Sequence, residues 1–227
     1  MSYDTEHGEE LRISPNYTRG RSAGHRRTPT VHDRPVSWYR LLPARAAAQV
    51  TTLVLHATET PDLETAWELA EHGPRVCGHL YLDRDGSVHR FVPLDRVASH
   101  VRGHNTPSIG VELVNTGRHP DHFDTRSQTP DEDFPADQIE ALKNLFPALR
   151  AEFPRLRTLL RHSDLDLETV PSTDDPSRRV RRRIDPGPRF PWDEVKAFWD
   201  QISDASTCGS SPTFGRSGRS GGSPPMR

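Results

Sequence analysis

The amino-acid sequence predicts an α/β fold in which a mixed central β-sheet is flanked by helices. Short runs of aliphatic and β-branched residues at 51–55 and 156–160 are typical of strands buried on both faces. Apolar residues at helical spacing within 63–71 and 135–153 predict amphipathic helices beside those strands. An Asp85-Gly86 pair between two apolar runs predicts a tight hairpin, so parallel and antiparallel strands are expected in one sheet.

Three further elements complete this predicted layout. The hairpin strands are expected at 79–82 and 88–92, and a closing helix is expected over 192–202, directly after Pro191. The strand predicted at 108–114 alternates aliphatic residues with others, as a strand with one apolar face does. Glu112 falls on the opposite face of that strand, so its carboxylate is expected to point away from the apolar row.

A chain of 227 residues is long enough for one domain with a sizeable core. We assign that domain to residues 36–205. Residues 1–35 are rich in Arg, His, Pro and Thr without apolar periodicity, which predicts a flexible N-terminal arm. Residues 206–227 are mostly Ser, Gly, Pro and Arg, which predicts a disordered Ser/Gly-rich tail.

Charge and hydropathy narrow the range of partners. A formal net charge of -2 argues against a general attraction to nucleic acid or to an anionic membrane. No apolar run is long enough to cross a bilayer, and the first 27 residues lack the apolar stretch of a secretory signal. We therefore expect a cytoplasmic protein without membrane association, with export by another route as the open alternative. Two cysteines, Cys77 and Cys208, fit a reducing compartment, and no oligomeric state is predicted.

Three side chains are candidates for a hydrolytic zinc site, which needs three protein ligands and one open position. His56 and His162 follow the two aliphatic runs, and Asp185 lies in a loop that Pro186 and Pro188 restrict. The residues alone leave an alternative open. The chain contains 12 histidines, and a histidine at the end of a strand is more often structural than a metal ligand.

Five segments of the chain resemble, in the same order, the zinc amidases that include the muropeptide-recycling amidase, phage endolysin amidases and peptidoglycan recognition proteins. The segments are Leu53-Val54-Leu55-His56, Gly78-His79-Leu80-Tyr81-Leu82-Asp83-Arg84-Asp85-Gly86, Ser108-Ile109-Gly110-Val111-Glu112-Leu113, Arg161-His162-Ser163-Asp164, and Asp185-Pro186-Gly187-Pro188 with Phe190-Pro191-Trp192. Each motif alone is weak. Their shared order over about 150 residues makes an accidental match improbable.

The resemblance implies an amidase/peptidoglycan recognition protein-like fold, with residues 36–205 as its catalytic domain. It also implies that His56, His162 and Asp185 bind Zn²⁺, with Asp185 where some relatives have cysteine. Glu112 occupies the position of the family's catalytic glutamate, and a carboxylate among aliphatic residues gains proton affinity through desolvation. Without the resemblance, an ion pair with an arginine would be the better interpretation of Glu112.

Two features depart from the family pattern. Arg183 stands where relatives often have a lysine that stabilises the oxyanion, and an arginine supplies charge there but no proton. The stretch 165–182 is longer than usual and ends in a basic run, which we interpret as a solvated loop in preference to a nucleic-acid contact. His100 and Asn105 precede the Glu112 strand, where the resemblance implies substrate binding; solvated loop residues are the alternative.

The implied activity is cleavage of the amide between N-acetylmuramic acid, or its anhydro form, and L-alanine in peptidoglycan or muropeptides. The absence of a visible signal favours muropeptide recycling in the cytoplasm. Two alternatives stay open at this point. One is a non-catalytic peptidoglycan-binding module, and the other is a wall-lysing effector or endolysin amidase with the same chemistry.

Overall fold

A computed structural model describes residues 29–207, and the side chains of residues 29–202. A six-stranded sheet with the strand order β1-β4-β3-β5-β2-β6 forms its centre. Its strands are β1 Val31–Asp33, β2 Thr52–Ala57, β3 Leu80–Leu82, β4 Val88–Arg90, β5 Ser108–Leu113 and β6 Thr158–Arg161. The helices are α1 Leu63–His72, α2 Ala136–Glu152, α3 His162–Leu165 and α4 Trp192–Thr207.

The pairing confirms the predicted mixed sheet. Strand β2 lies between β5 and β6 and is parallel to both, and β3 is parallel to β5. The only antiparallel pair of this sheet within the described residues is β3 with β4, which is the hairpin around Asp85-Gly86. Gly86 has a φ of 83°, the backbone conformation that glycine adopts without strain and that the turn requires.

Apolar clusters cover both faces of the sheet. One face packs Leu55 and Val111 against Phe146 of α2 and Trp199 of α4. The other face packs Tyr81 against α1, whose Ala66 and Ala70 are buried, together with the segment around Trp38. The alternation of side chains along the strands thus separates a large core from a smaller one, and the sheet forms the middle layer of three.

The N-terminal boundary of the ordered domain differs from the sequence prediction. Val31–Asp33 lies within the stretch 1–35 that we expected to be flexible, yet it forms the edge strand β1, parallel to β4. Main-chain pairing and an ion pair between Asp33 and Arg90, with a nitrogen–oxygen distance of 2.5 Å, hold it there. The sequence did not predict this strand, because Val31–Asp33 is only three residues long and contains no apolar run. Residues 1–28 and 208–227, most of the predicted arm and tail, lie outside the described residues.

Two other boundaries shift for physical reasons. Strand β2 continues to Ala57, because His56 and Ala57 pair with Glu112 and Leu113 of β5, so His56 lies inside the strand rather than after it. The long stretch 165–182 folds into a small antiparallel sheet of β7 Thr169–Pro171 and β8 Arg179–Arg181.

Within the described residues, the helices are too short or too polar to cross a bilayer.

Candidate active site

The carboxyl ends of the central strands carry the candidate site. His56 of β2 pairs in register with Glu112 of β5, so their side chains leave the sheet at the same level. Leu55 and Leu113, one position away on each strand, belong to the large core on the α2 face. Because successive strand residues point to opposite faces, the histidine and the glutamate both face the α1 side.

His162 and Asp185 reach the same point from two other elements. His162 is the first residue of α3, directly after β6. Asp185 lies in the loop between β8 and α4, and its main-chain carbonyl accepts a hydrogen bond from the N–H of Ser163 at 3.1 Å. This hydrogen bond joins the loop to the first turn of α3, so it positions both side chains together.

The three ligand-type atoms converge on one point. Nδ1 of His56 lies 3.0 Å from Nδ1 of His162 and 3.2 Å from Oδ2 of Asp185, and the last two atoms are 2.9 Å apart. All three residues are buried, and Oδ1 of Asp185 is buried with no hydrogen-bond partner among the described residues. Such a group of two imidazoles and a carboxylate can hold a metal ion.

The electrostatics of these residues fit cation binding. Burial lowers the pKa of His56 to about 4, so the ring is neutral and its nitrogen can donate a lone pair. Burial alone would raise the pKa of the Asp185 carboxyl, but electrostatic attraction and hydrogen bonds from the adjacent His162 and His56 rings hold it well below its usual range. The aspartate is therefore anionic at neutral pH, as a metal ligand must be.

Glu112 lies next to this group with a raised proton affinity. Its Oε1 is 4.0 Å from Nδ1 of His56. Burial, with a smaller contribution from the negative charge of Asp185, raises the pKa of Glu112 to about 8, and Arg183 opposes part of that shift. Gly78 on the neighbouring segment makes room for this side chain, because a Cβ there would lie 2.8 Å from Cγ of Glu112.

A cleft of about 230 Å³ opens over these side chains. Helix α1 forms one wall with Ala66, Leu69 and Ala70, and Leu69 is 55% exposed at the rim. Arg183, which is half-buried, also lines the cleft. The cleft is lined by His56, Ala57, Thr58, Glu59, Thr60, Ala66, Leu69, Ala70, Val76, Cys77, Tyr81, His100, Glu112, His122, His162, Arg183 and Asp185.

A family model for N-acetylmuramoyl-L-alanine amidases matches residues 46–188, a stretch that contains all four convergent side chains. The chain belongs to the N-acetylmuramoyl-L-alanine amidase family. Among curated proteins, an endolysin of Enterobacteria phage K11 is 32% identical to it over 96 residues, which are 42% of this chain and 58% of the endolysin. The chain thus aligns with less than two thirds of the length of that relative.

Solved structures show the fold of this amidase family. The endolysin amidase LysCS from Clostridium intestinale URNW superposes with a TM-score of 0.53 at 20% identity, over 77% of this chain and 97% of that one. The amidase AmiD from E. coli, solved with the substrate anhydro-N-acetylmuramic acid-L-Ala-D-γ-Glu-L-Lys, gives a TM-score of 0.54 at 21% identity, over 74% of this chain and 66% of AmiD. The shared fold is the amidase/peptidoglycan recognition protein-like α/β fold predicted from the sequence.

The two residues expected to bind substrate occupy different places in this amidase fold. His100 lines the cleft but is only 6% exposed, and its Nδ1 lies 2.9 Å from Nε2 of His56. Asn105 is not part of the cleft lining. Its Oδ1 accepts hydrogen bonds from the main-chain N–H groups of His100 and Val101, at 3.0 and 2.8 Å. Asn105 therefore shapes the loop that carries His100.

Sequence reasoning missed a buried ion pair beside the cleft. Arg118 forms a two-pronged ion pair with Glu59, with distances of 2.6 and 3.0 Å. The same guanidinium donates to the carbonyls of Arg181 and Arg182, at 2.9 and 3.1 Å. It thus holds the chain just before Arg183. The two partners are 59 residues apart in sequence, and no local sequence pattern around either residue indicates that they pair.

The basic run at the end of the stretch 165–182 is more structured than the predicted solvated loop. Arg181 donates to the carbonyls of Ser163 and Asp166, at 2.8 and 3.1 Å. Arg182 pairs with Asp166 and with Glu168. These contacts hold Arg181 and Arg182 against the domain, and Arg183 is the member of this run that lines the cleft.

Proposed function

We propose that this chain is a zinc hydrolase that cleaves the amide between N-acetylmuramic acid, or its anhydro form, and L-alanine in peptidoglycan or muropeptides. The single observation that carries this proposal is the convergence of His56, His162 and Asp185 beside Glu112 in one cleft of an amidase-family domain. A non-catalytic wall-binding module needs neither a complete ligand group nor a desolvated carboxylate beside it.

The spacing of the three ligands suits zinc. Ligands about 2.0–2.1 Å from a tetrahedral zinc lie about 3.3 Å from each other. The three observed distances of 3.0, 3.2 and 2.9 Å are close to this value. Three protein ligands would leave one coordination position for water or substrate. A zinc ion held by these residues would supply a Lewis acid for the carbonyl and would lower the pKa of bound water towards neutrality.

Glu112 is the proton carrier in this proposal. As a carboxylate it accepts the proton of the attacking water, and as a carboxylic acid it delivers that proton to the departing nitrogen of L-alanine. Its raised pKa, about 8, favours this double use near neutral pH, because both protonation states are accessible.

Arg183 supports the negative charge that develops on the carbonyl oxygen of the substrate. Arg183 lines the cleft, and its charge is close enough to lower the pKa of both His56 and Glu112. Because an arginine does not give up its proton near neutral pH, its contribution is electrostatic, through charge and hydrogen bonds.

Cleavage of a defined muropeptide tests the proposal. We expect the purified protein to release free L-Ala-D-γ-Glu-L-Lys from anhydro-N-acetylmuramoyl-L-Ala-D-γ-Glu-L-Lys, as measured by mass spectrometry. Removal of zinc with a chelator should abolish release, and added zinc should restore it. Glu112→Gln should bind zinc normally and lower kcat by at least about 100-fold, since general acid–base catalysis contributes that much.

The matched control is Glu68→Gln, which neutralises an exposed glutamate on α1 outside the cleft lining. It should turn over substrate at the rate of the unmodified chain. If the chain binds muropeptide and zinc but releases no peptide, it is a binding module and the proposed activity is wrong. Full turnover by Glu112→Gln would remove the role of Glu112 alone.

The form of the substrate separates two biological roles. Recycling in the cytoplasm requires soluble anhydro-muropeptides, whereas wall lysis requires intact peptidoglycan outside it. The similarity to a phage endolysin favours wall lysis as a second candidate. We expect the ratio of peptide release from intact sacculi to that from soluble anhydro-muropeptide to decide between them. Release from soluble substrate alone supports recycling, and efficient release from sacculi supports lysis.

A further inference from the structure

We propose that His100 is a positioning residue, which holds the metal ligand His56 in the tautomer and ring orientation that metal binding requires. This inference rests on the proposed zinc function, and it concerns a residue that contacts a metal ligand without belonging to the ligand group. The contact that carries it is the 2.9 Å distance between Nδ1 of His100 and Nε2 of His56, on the side of the ring away from the ligand group.

A series of hydrogen bonds runs from His56 through His100 and Ser108 to the main-chain carbonyl of His104. The carbonyl fixes the direction of every hydrogen bond in this series. Oγ of Ser108 lies 2.5 Å from the main-chain carbonyl of His104, which can only accept, so the serine hydroxyl donates there. The lone pairs of that oxygen are then free to accept from Nε2–H of His100, at 3.1 Å. A neutral imidazole that donates through Nε2 accepts through Nδ1.

His56 must therefore donate its Nε2–H to His100, which leaves a lone pair on its Nδ1. That Nδ1 is the atom that faces His162 and Asp185. The opposite tautomer would put a hydrogen between His56 and the metal position, and it would also set two lone pairs against each other at the His100 contact. The chain of hydrogen bonds thus selects the binding-competent form.

The protein fixes His100 itself from several directions. Oδ1 of Asn105 accepts the main-chain N–H of His100, and Arg45 donates to the carbonyls of Thr106 and Ser108 in the same segment. The ring lies against Gly110, where a Cβ would come within 2.6 Å of Nδ1. A ring held on this surface cannot turn away from His56 without new space, so the contact is rigid.

Zinc affinity, measured by competition with a chromophoric chelator, tests the inference without turnover. His100→Leu should bind zinc about 10- to 100-fold more weakly, the usual effect of losing an outer hydrogen-bond partner of a metal ligand. His100→Asn should stay within about three-fold of the unmodified chain, because the Asn Oδ1 can take the acceptor position of Nδ1. Ser108→Ala should weaken zinc binding less than His100→Leu does, in the same direction.

His79→Leu is the matched control, because it removes an equally buried histidine that bonds to Arg45 and to the main chain of Gly110 and Arg96. Its ring packs edge-on against His100, but within the described residues it makes no hydrogen bond to a metal ligand. Melting temperatures of the metal-free proteins separate effects on stability from effects on binding. Rescue by His100→Asn together with normal zinc affinity in His79→Leu would support the inference. Equal zinc affinity of His100→Leu and the unmodified chain would overturn it, as would an equal loss in His100→Leu and His79→Leu. If the unmodified chain binds no zinc, the proposed function itself fails.

Discussion

Arg183 is the residue whose replacement best separates transition-state stabilisation from substrate binding. It lines the cleft beside the ligand group, whereas its neighbours Arg181 and Arg182 make their contacts elsewhere in the domain. Charge aimed at a developing oxyanion contributes more in a buried cleft than in water. The arginine should therefore affect kcat more than KM.

We expect Arg183→Leu to lower kcat by about 100-fold, the effect of losing one oxyanion donor, with KM and zinc content nearly unchanged. Arg183→Lys should retain most of the activity, since it keeps the charge. Steady-state kinetics with soluble muropeptide provide both constants. A rise in KM at constant kcat would instead show that Arg183 binds the ground state of the substrate, for example a carboxylate of the stem peptide.

His79 makes the stability of the fold dependent on pH. Burial, with the nearby positive charge of Arg45, lowers the pKa of His79 to about 3. Between that value and the ordinary histidine pKa of about 6.5, the unfolded chain binds a proton that the folded chain does not. Folding stability from this residue is therefore fully present above about pH 6.5 and is lost as the pH falls below it.

We expect His79→Asn to reduce the slope of unfolding free energy against pH between pH 6 and 4 by about 1.4 kcal/mol per unit, the effect of one proton. Urea denaturation of metal-free protein at several pH values measures this slope. At pH 7.5 the variant should be less stable than the unmodified chain. Parallel pH profiles for the two proteins would show that His79 takes up its proton in the folded state.

The sequence predicted the central residues of the site better than their surroundings. His56, His162, Glu112 and Asp185 come together as the resemblance implied, because each lies in a short motif at or after a strand. The role of Asn105 was missed. Its contacts depend on how one loop folds back on its own main chain, and spacing in sequence does not encode that path.

At the scale of elements, the small β7–β8 sheet and the Arg118–Glu59 ion pair hold the loop that carries Arg183 and Asp185. We call this ion pair the anchor of the loop. Arg118 connects this loop to Glu59, which lines the cleft at the end of β2. The guanidinium is fully buried and the glutamate is 7% exposed. Removal of one partner leaves an uncompensated buried charge, whereas removal of both charges does not.

We expect Arg118→Met to lower the unfolding free energy by about 3–5 kcal/mol, as breaking a buried ion pair does. The double variant Glu59→Gln/Arg118→Met should recover much of that loss. Its kcat/KM should stay low, because the carbonyls of Arg181 and Arg182 still lack their donor and the loop is no longer held. Denaturation curves and kinetics measure the two effects separately.

Glu59→Gln alone serves as the control for the carboxylate that faces the cleft. If the double variant regains both stability and kcat/KM, then Arg118 acts on stability only and the loop does not depend on it. If Glu59→Gln alone accounts for the loss of activity, the effect belongs to the cleft lining and not to the anchor.

The sequence predicted the helices and strands correctly where their apolar pattern was long or where their side chains are buried. The bounds of α1 and α2 differ from the prediction by one residue at each changed end, because their apolar spacing and turn signals are strong. The three-residue strands β1, β7 and β8 were not predicted. Among their residues only Val180 is buried, so main-chain pairing with a partner strand defines them rather than any local apolar pattern.

At the scale of the whole molecule, sheet topology explains why these ligands meet. Strands β2, β5 and β6 are adjacent and parallel, so their carboxyl ends lie along one edge. His56 and His162, 106 residues apart, approach each other at that edge, and the β7–β8 sheet returns the chain so that Asp185 joins them. A bound ion would therefore join three distant stretches, and the unfolded chain offers no such site.

Zinc should consequently stabilise the entire domain. At a free zinc concentration 100 times its Kd, binding to the folded state adds about 2.7 kcal/mol, which raises Tm by about 5–10 °C for a domain of this size. We expect a chelator to lower Tm by that amount and added zinc to reverse the change, as measured by calorimetry.

Asp185→Asn keeps the shape of the ligand but removes the charge that neutralises the metal, so its Tm should respond much less to zinc or chelator. Glu112→Gln, which changes the carboxylate outside the ligand group, should show the full response of the unmodified chain. A zinc response that survives in Asp185→Asn would place the stabilising ion elsewhere, and the topological argument for a single shared site would then fail.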